Sequence, residues 1–566
     1  MNILSIQKDH NSSACLYMNN ELIYYNQEER LSRIKKDSGY PYYTLQEIQK
    51  ICKDIDVLLI SGYDSVLSEN MSIISILQKM GFAFNKGFEF VPYNKAHHLY
   101  HATKAFYDSG FDDALVFVCD GKGSTYNLSN GGQAQETTSI FEANKKGNFK
   151  LLYRRFHTHS KIDEDTKIIW HNQFTIHRVP RPRYVSQKSE IEISNSFDLG
   201  FMYEGTSRSM GLDDEGGKMM SAQSFGNDNW LVPDPLKNGE FDMDLFAFDH
   251  ERKHLGFTRD HLELLDDANA TDFAKKVQKA FQEIGLDRIK RMIDKTGNKN
   301  IVLTGGTALN VVANYYYRQK LPEDVNIYVD PLCGDEGNCI GLALLYINEK
   351  NKSETPISTP SIYIGGNDPE YNYLSRLQED EKEFFANYET IVELLKAGHI
   401  VGLYQGKSEA GPRALGNRSI IFDPRIDKGK DIVNTVKGRE SFRPFAATVM
   451  EEYAKDWFEL DKIDSSPYMM YAVNAKKETL IDIPAVLHID NTCRIQTVNK
   501  EQNFHFYNLL NTWHNETSVP MLLNTSFNLA GDPIVETVDD AIDSLRRSKL
   551  QYLYMPEIKR CVYIPN

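Results

Sequence analysis

Twice in the middle of the chain an apolar run ends in a glycine turn and passes into a helical pattern. NIVLTGG (300–306) is a strand closing on Gly305-Gly306, and VNIYVD (325–330) leads into GDEGN and the helical CIGLALLYI (339–347). Before them Phe273, Val277, Phe281, Ile284, Ile289 and Ile293 recur at helical spacing, so 272–294 is predicted as an amphipathic helix stopped by Gly297. Strand, glycine turn and helix in alternation specify an α/β domain. The N-terminus adds a hairpin, SACLYM and ELIYYNQEE joined at Asn19-Asn20, whose residues tolerate positive φ. DALVFVCDG (113–121) is a further buried strand.

A polar, Pro/Ser/Thr-rich stretch, NKSETPISTPS (351–361), sets a domain boundary near 350–362. The 566 residues then divide into two large units. Residues 150–184 read as a loop-rich insertion. They carry Lys150, Arg154, Arg155, Lys161, Lys167, Arg178, Arg181 and Arg183 against three carboxylates, plus His157, His159, His171 and His177. The whole chain is acidic, with 64 Lys and Arg against 79 Asp and Glu, which argues against stable nucleic-acid binding. No basic segment followed by an apolar one opens it, and no apolar run is long enough for a bilayer. Seven scattered cysteines without a CxxC pair suit a reducing cytoplasm.

Several polar constellations could carry chemistry. In KAHHLYH (95–101) His97 and His101 are four apart and share a helix face, a spacing that can grip one metal and that also fits two surface histidines. Asp120 in CDGKG and Asp335 in CGDEGN end strands beside glycines, where a carboxylate can hold a cation or simply form a turn. TGGTALN (304–310) allows backbone to approach a phosphate but is neither GxGxxG nor a Walker loop. GPRALGNRS (411–419), Lys437, Arg439 and Arg443 in KGRESFRPF, and Arg494 in NTCRIQT place basic side chains over turns in an acidic chain. That distribution suits a small polyanion, or surface ion pairs. LLNTSFN (522–528) reads as a strand ending in a ligand-binding turn.

In this order KDHNSSACL, QEERLSRIKKD, KAHHLYHATKAFY, VCDGKG, EGGKMM, LTGGTALNVVAN, GDEGNCIGLAL, GPRALGNRSIIFDPR, GRESFRPFA, HIDNTCRIQTV and LLNTSFNLAGDPIV resemble the O-carbamoyltransferases of antibiotic and nodulation-factor synthesis. The resemblance spans nearly the whole chain. It implies an actin-like/sugar-kinase (ASKHA), threonylcarbamoyl-transferase-like domain over 1–355, with a variable insertion near 150–195. A YrdC-like α/β domain would follow over 361–566. The second domain would make carbamoyl adenylate from carbamoyl phosphate and ATP, and the first would transfer the carbamoyl group to a hydroxyl of a small-molecule, sugar or nucleotide acceptor.

By the same resemblance His97, His101, Asp120 and Asp335 bind a divalent metal, iron with magnesium or manganese as alternatives. His10 is the catalytic residue, a general base or a donor toward the acceptor. Lys35, Gly121, Gly305, Gly306 and Asn310 hold ATP or the adenylate. Arg413, Arg418, Arg439, Arg443, Arg494, Asn524 and Ser526 hold carbamoyl phosphate. An anionic, nucleotide-like acceptor would suit the basic 150–184 stretch. The sequence is compatible with a homodimer and implies no membrane partner. Two other readings use the same folds: a tRNA- or protein-modifying carbamoyl enzyme, and a non-catalytic nucleotide-binding regulator.

Overall fold

The computed structural model describes residues 1–8, 10–61, 67–93, 96–169, 185–212, 216–246, 268–350, 357–366 and 373–565. The first sheet is built from β1 (Asn2–Gln7), β2 (Ser13–Met18), β3 (Glu21–Gln27), β4 (Asp54–Ser61) and β5 (Ala83–Tyr93) in the order β3-β2-β1-β4-β5. The hairpin turn has φ of 49° at Asn19 and 70° at Asn20, the left-handed pair that a tight two-residue turn needs. β1 is antiparallel to β2 and parallel to β4, and β4 is parallel to β5. β1 is buried along both faces, as a central strand covered on each side must be.

The second sheet repeats this plan. β6 (Asp113–Cys119), β7 (Thr125–Asn127), β8 (Gln133–Asn144), β9 (Asn148–His157) and β10 (Val185–Ser194) come first. A short hairpin, β11 (Leu236–Lys237) and β12 (Glu240–Phe241), intervenes before β13 (Asn300–Thr304) and β14 (Asn326–Val329). The order β9-β8-β6-β13-β14 has the same succession of antiparallel and parallel neighbours as β3-β2-β1-β4-β5, with β10 added outside β9. A duplicated α/β unit of this kind is what the actin-like/sugar-kinase resemblance implies. Between the sheets helix His97–Ser109 crosses helix Asn338–Lys350. The crossing is tight: a Cβ on Gly341 would lie 2.2 Å from the Tyr100 carbonyl oxygen.

The structure departs from the expected loop-rich insertion. Residues 148–157 form β9, and its last seven residues are buried. Arg154 and Arg155 are tolerated there because carboxylates meet them: Glu136 lies 2.9 Å from Arg154, while Arg155 pairs with Glu192 and lies 4.0 Å from Asp198. His171, His177, Arg178, Arg181 and Arg183 lie outside the described residues, as do Lys95 and part of the expected 351–361 linker.

The remainder forms a ten-stranded mixed sheet with flanking helices. At its centre Arg418–Phe422, Met521–Ser526, Ala446–Met450 and Thr492–Val498 are neighbours in that order. This brings Ser526 opposite Ser419, and sets Asn524 and Arg494 on either side of Ala446. Polar contacts tie it to the N-terminal half: Arg30 donates to the Gly411 carbonyl (2.7 Å), Arg33 to Ile534 (2.7 Å), and Asn314 to Met470 (3.0 Å). Among the described residues no helix is long and apolar enough to cross a membrane.

Candidate functional site

Helical spacing puts the imidazoles of His97 and His101 on one face; Asp120, just past the end of β6, and Asp335, opening the short helix Asp335–Gly337 that follows β14, bring two carboxylates to meet them. His97 Nε2 is 3.2 Å from Asp120 Oδ2 and 3.2 Å from Asp335 Oδ1. His101 Nε2 is 3.3 Å from Asp335 Oδ1, 3.6 Å from Asp120 Oδ2 and 3.2 Å from His97 Nε2. All four donor atoms lie within 4.8 Å of one another. Two donors each about 2.1 Å from one ion sit ~3.0–3.4 Å apart, so these spacings match the edges of a single coordination shell. Two imidazole nitrogens and two carboxylate oxygens are a donor set for a divalent first-row ion.

The electrostatics agree. Burial would lower the His97 imidazole, yet Asp335 and Asp120 outweigh it and raise it to about 10. Burial would raise the Asp335 carboxyl, but His97 and His101 bring it down to about 2, and Asp120 is held well below its usual range despite burial. Lys104, on the same helix, ties that helix to the segment after β14: its Nζ is 2.6 Å from Asp330 and 3.0 Å from Asp108.

The glycine turns orient Asp120. Gly121 N–H donates to Oδ1 at 2.7 Å and Gly306 N–H at 3.4 Å, leaving Oδ2 toward the imidazoles. Gly305 has φ 84°, and a Cβ there would lie 2.3 Å from the Cys119 carbonyl oxygen. Asn310 instead caps helix Val311–Lys320, accepting from Ala313 N–H at 3.0 Å and exchanging hydrogen bonds with Gln278.

A second site lies where the two halves meet. A cavity of about 150 Å³ is lined by Arg413, Arg439, Arg443, Arg494, Lys430 and Ser526, and its opposite wall is Gly217, Met220 and Val311 from the N-terminal half. The Nε atoms of Arg413 and Arg494 are cut off from water without a hydrogen-bond partner. Among the described residues neither guanidinium forms an ion pair. Burial and the neighbouring Arg443 push Arg413 down to about 10 in spite of Cys333, and burial with Arg413 and Arg439 pushes Arg494 well below its ordinary value. Arg439 bonds Asn434 (2.7 Å) and Arg443 lies 3.8 Å from Glu440, which Lys218 meets at 2.8 Å from across the interface.

Other sequence-derived candidates lie elsewhere. Arg418 is fully buried, stacked 3.8 Å over Tyr404, and donates to the carbonyls of Gln405, Asn417 and Glu536. Asn524 is buried against Ala414, Thr448 and Gln496. Lys437 donates to the carbonyls of Ser526 and Asn528 behind the cavity. Lys35, assigned by resemblance to the adenylate, lies close enough to Lys437 to depress its ammonium, after burial, Arg439 and Arg443. His10 is exposed in the turn between β1 and β2. The sequence reading missed Lys430, the Lys218–Glu440 pair, and a buried network around His98. The doubled histidine of HHLYH and the second glycine of DGKG were the available signals for that network.

Residues 70–344 match the family model described as carbamoyltransferase N-terminus, and 392–560 the one described as carbamoyltransferase C-terminus. Nodulation protein NolNO of Sinorhizobium fredii is 30% identical over 96% of this chain and 78% of its own length. Nodulation protein NolO of Bradyrhizobium diazoefficiens is 31% identical over 81% of this chain and 77% of its own. Full-length HypF, solved in a phosphate- and nucleotide-bound form, aligns at 13% identity and a TM-score of 0.35 over 62% of this chain and 55% of its own.

Proposed function

The chain belongs to the carbamoyltransferase family, and we propose that it activates the carbamoyl group as carbamoyl adenylate before passing it to a hydroxyl of a small-molecule acceptor. The observation that carries this reading is the pair of desolvated guanidiniums, Arg413 and Arg494, facing a cavity with no carboxylate partner among the described residues. Uncompensated buried charge is costly, and a polyanion relieves it with charge-assisted hydrogen bonds. Carbamoyl phosphate and ATP are both polyanions.

For atoms to balance, water takes the phosphoryl group of carbamoyl phosphate, a carbamate oxygen attacks the α-phosphorus of ATP, and phosphate and pyrophosphate leave. Arg413, Arg439, Arg443 and Arg494 bind and orient the phosphates, and Ser526 lines the same cavity. In the N-terminal half the glycine turns at Gly121, Gly305 and Gly306, which also orient Asp120, would face the adenylate. The acceptor oxygen then attacks the carbamoyl carbon, AMP leaves, and His10 takes the hydroxyl proton. A divalent ion held by His97, His101, Asp120 and Asp335 supplies, when bound, positive charge for the adenylate phosphate. The work divides between 1–355 for transfer and 361–566 for adenylate formation.

The test uses no acceptor. The protein is mixed with carbamoyl phosphate, ATP and a divalent metal, and the products are read by mass spectrometry. Carbamoyl adenylate and pyrophosphate are expected. ATP bound without either product, in folded and metal-loaded protein, overturns the proposal in favour of a nucleotide-binding regulator.

A further inference from the structure

The helix that carries the two metal-type histidines has a third, His98, turned toward a different set of partners. His98 is fully buried, and its Nδ1 is 2.9 Å from Ser139 Oγ and 3.4 Å from Glu136 Oε1. Glu136 is 1% exposed and acts as the hub: Ser139 Oγ donates to it at 3.0 Å and Arg154 Nε lies 2.9 Å away. A carboxylate only accepts, so the His98 proton belongs on Nδ1, and Nε2 carries the lone pair.

The same residues hold the loop that follows Asp120. Gly123 N–H donates to the Glu136 carbonyl at 2.7 Å, Glu136 N–H to the Ser124 carbonyl at 3.0 Å, and Ser124 N–H to Glu136 Oε2 at 3.3 Å. Ser124 Oγ in turn accepts from the backbone N–H of His97 at 3.3 Å, capping a helix whose own N-cap residue, Ala96, offers no side-chain bond. There is no slack: a Cβ on Gly123 would lie 2.8 Å from both His98 Nε2 and Glu136 Oε2. A larger residue at 123 would have to displace the His98 ring or the Glu136 carboxylate, so the glycine serves close approach rather than a special φ.

We propose that His98 and Glu136 are positioning residues for the cation site, fixing the distance between the loop that presents Asp120 and the helix that presents His97 and His101. The inference rests on the metal reading of those residues. Residues behind a metal site that orient its ligands typically change affinity by about 10–100-fold when altered. His98 does this without touching the donor atoms, by clamping both backbones that carry them.

The experiment titrates metal-free protein with Co²⁺ and reads the visible absorption, which reports affinity and coordination geometry. Wild type without a Co²⁺ band would refute the metal reading itself. With the band present, His98→Gln, which loses the donor at the Nδ1 position, should weaken binding about 10–100-fold. His98→Asn, whose amide occupies that position, should stay within about threefold of wild type. Gly123→Ala should weaken binding in the same range as His98→Gln. The melting temperatures of the metal-free variants separate positioning from failure to fold. Equal Co²⁺ affinity for His98→Gln, His98→Asn and wild type would overturn the inference. So would equal weakening of both variants, because a merely structural role would not distinguish the two amides.

Discussion

The N-terminal cluster and the interface cavity handle buried charge in opposite ways. At His97, His101, Asp120 and Asp335 imidazoles and carboxylates lie 3.2–3.6 Å apart, so each carboxylate has its partner within the site. In the cavity Arg413, Arg439, Arg443 and Arg494 crowd one another, and Arg413 and Arg494 have no carboxylate partner among the described residues. The first arrangement raises a base, His97, to about 10; the second lowers an acid, Arg413, also to about 10. On the reading proposed above, the first site would exchange protons for a cation, and the second would take up an anion.

The largest expected effect tests whether those two sites serve separate half-reactions. Arg494→Met should cut pyrophosphate release about 10²–10³-fold. It should also raise the melting temperature of the ligand-free protein, since it removes a buried cation surrounded by cations. Carbamoyl adenylate supplied from outside should still be consumed with any acceptor that wild type carbamoylates. His10→Asn should do the reverse, keeping pyrophosphate release while carbamoylation falls about 10²–10⁴-fold. Equal loss of both half-reactions in either variant would break the division.

A smaller, graded effect separates the sites by pH. His97 is raised, so the proton it holds stabilises the metal-free fold; that contribution is full below about 6.5 and is lost as pH rises through about 10. A cation competes for the same lone pair, so Co²⁺ affinity should rise with pH across 6–9, by about one proton released per ion or more. Arg413 is lowered only to about 10, above this range, so inorganic phosphate binding at the cavity should follow chiefly the phosphate's own ionisation. A Co²⁺ affinity that is flat or falls with pH would contradict the contrast.

These two sites were not equally legible in the sequence. The i, i+4 histidines announce a shared face, and an Asp ending a strand beside glycine announces a turn facing a ligand. Their convergence from three distant segments is a property of the duplicated sheet. That duplication lies in strand order and direction, not in recognisable repeats of sequence. Arginines were harder. Arg413 and Arg418 stand five apart in one glycine-rich segment, yet Arg413 lines the cavity while Arg418 is wrapped in carbonyls under Tyr404. A guanidinium satisfies either a phosphate or a nest of backbone oxygens, and spacing does not say which. The same ambiguity made 150–157 look like loop: its charges suggested solvent, whereas β9 is buried and its arginines are paired.

That pairing leads to the smallest expected effect. The positive stretch drew attention as a docking ground for an anionic acceptor. Of its described cations, however, Lys150 is 2.8 Å from Glu142, Arg154 is held by Glu136, and Arg155 by Glu192. Lys161 and Lys167 are exposed and make no ion pair among the described residues, and Asp163, Glu164 and Asp165 lie between them in sequence. Scattered surface charges of this kind contribute at most ~1 kcal/mol and are screened by salt. The doubly substituted Lys161→Gln, Lys167→Gln protein should therefore bind a panel of nucleoside monophosphates within about twofold of wild type by calorimetry. A monophosphate that binds wild type and loses tenfold in the variant would put an anion site in this region after all. The cavity and the cation site would then no longer be the only candidates, among the described residues, for recognising phosphate.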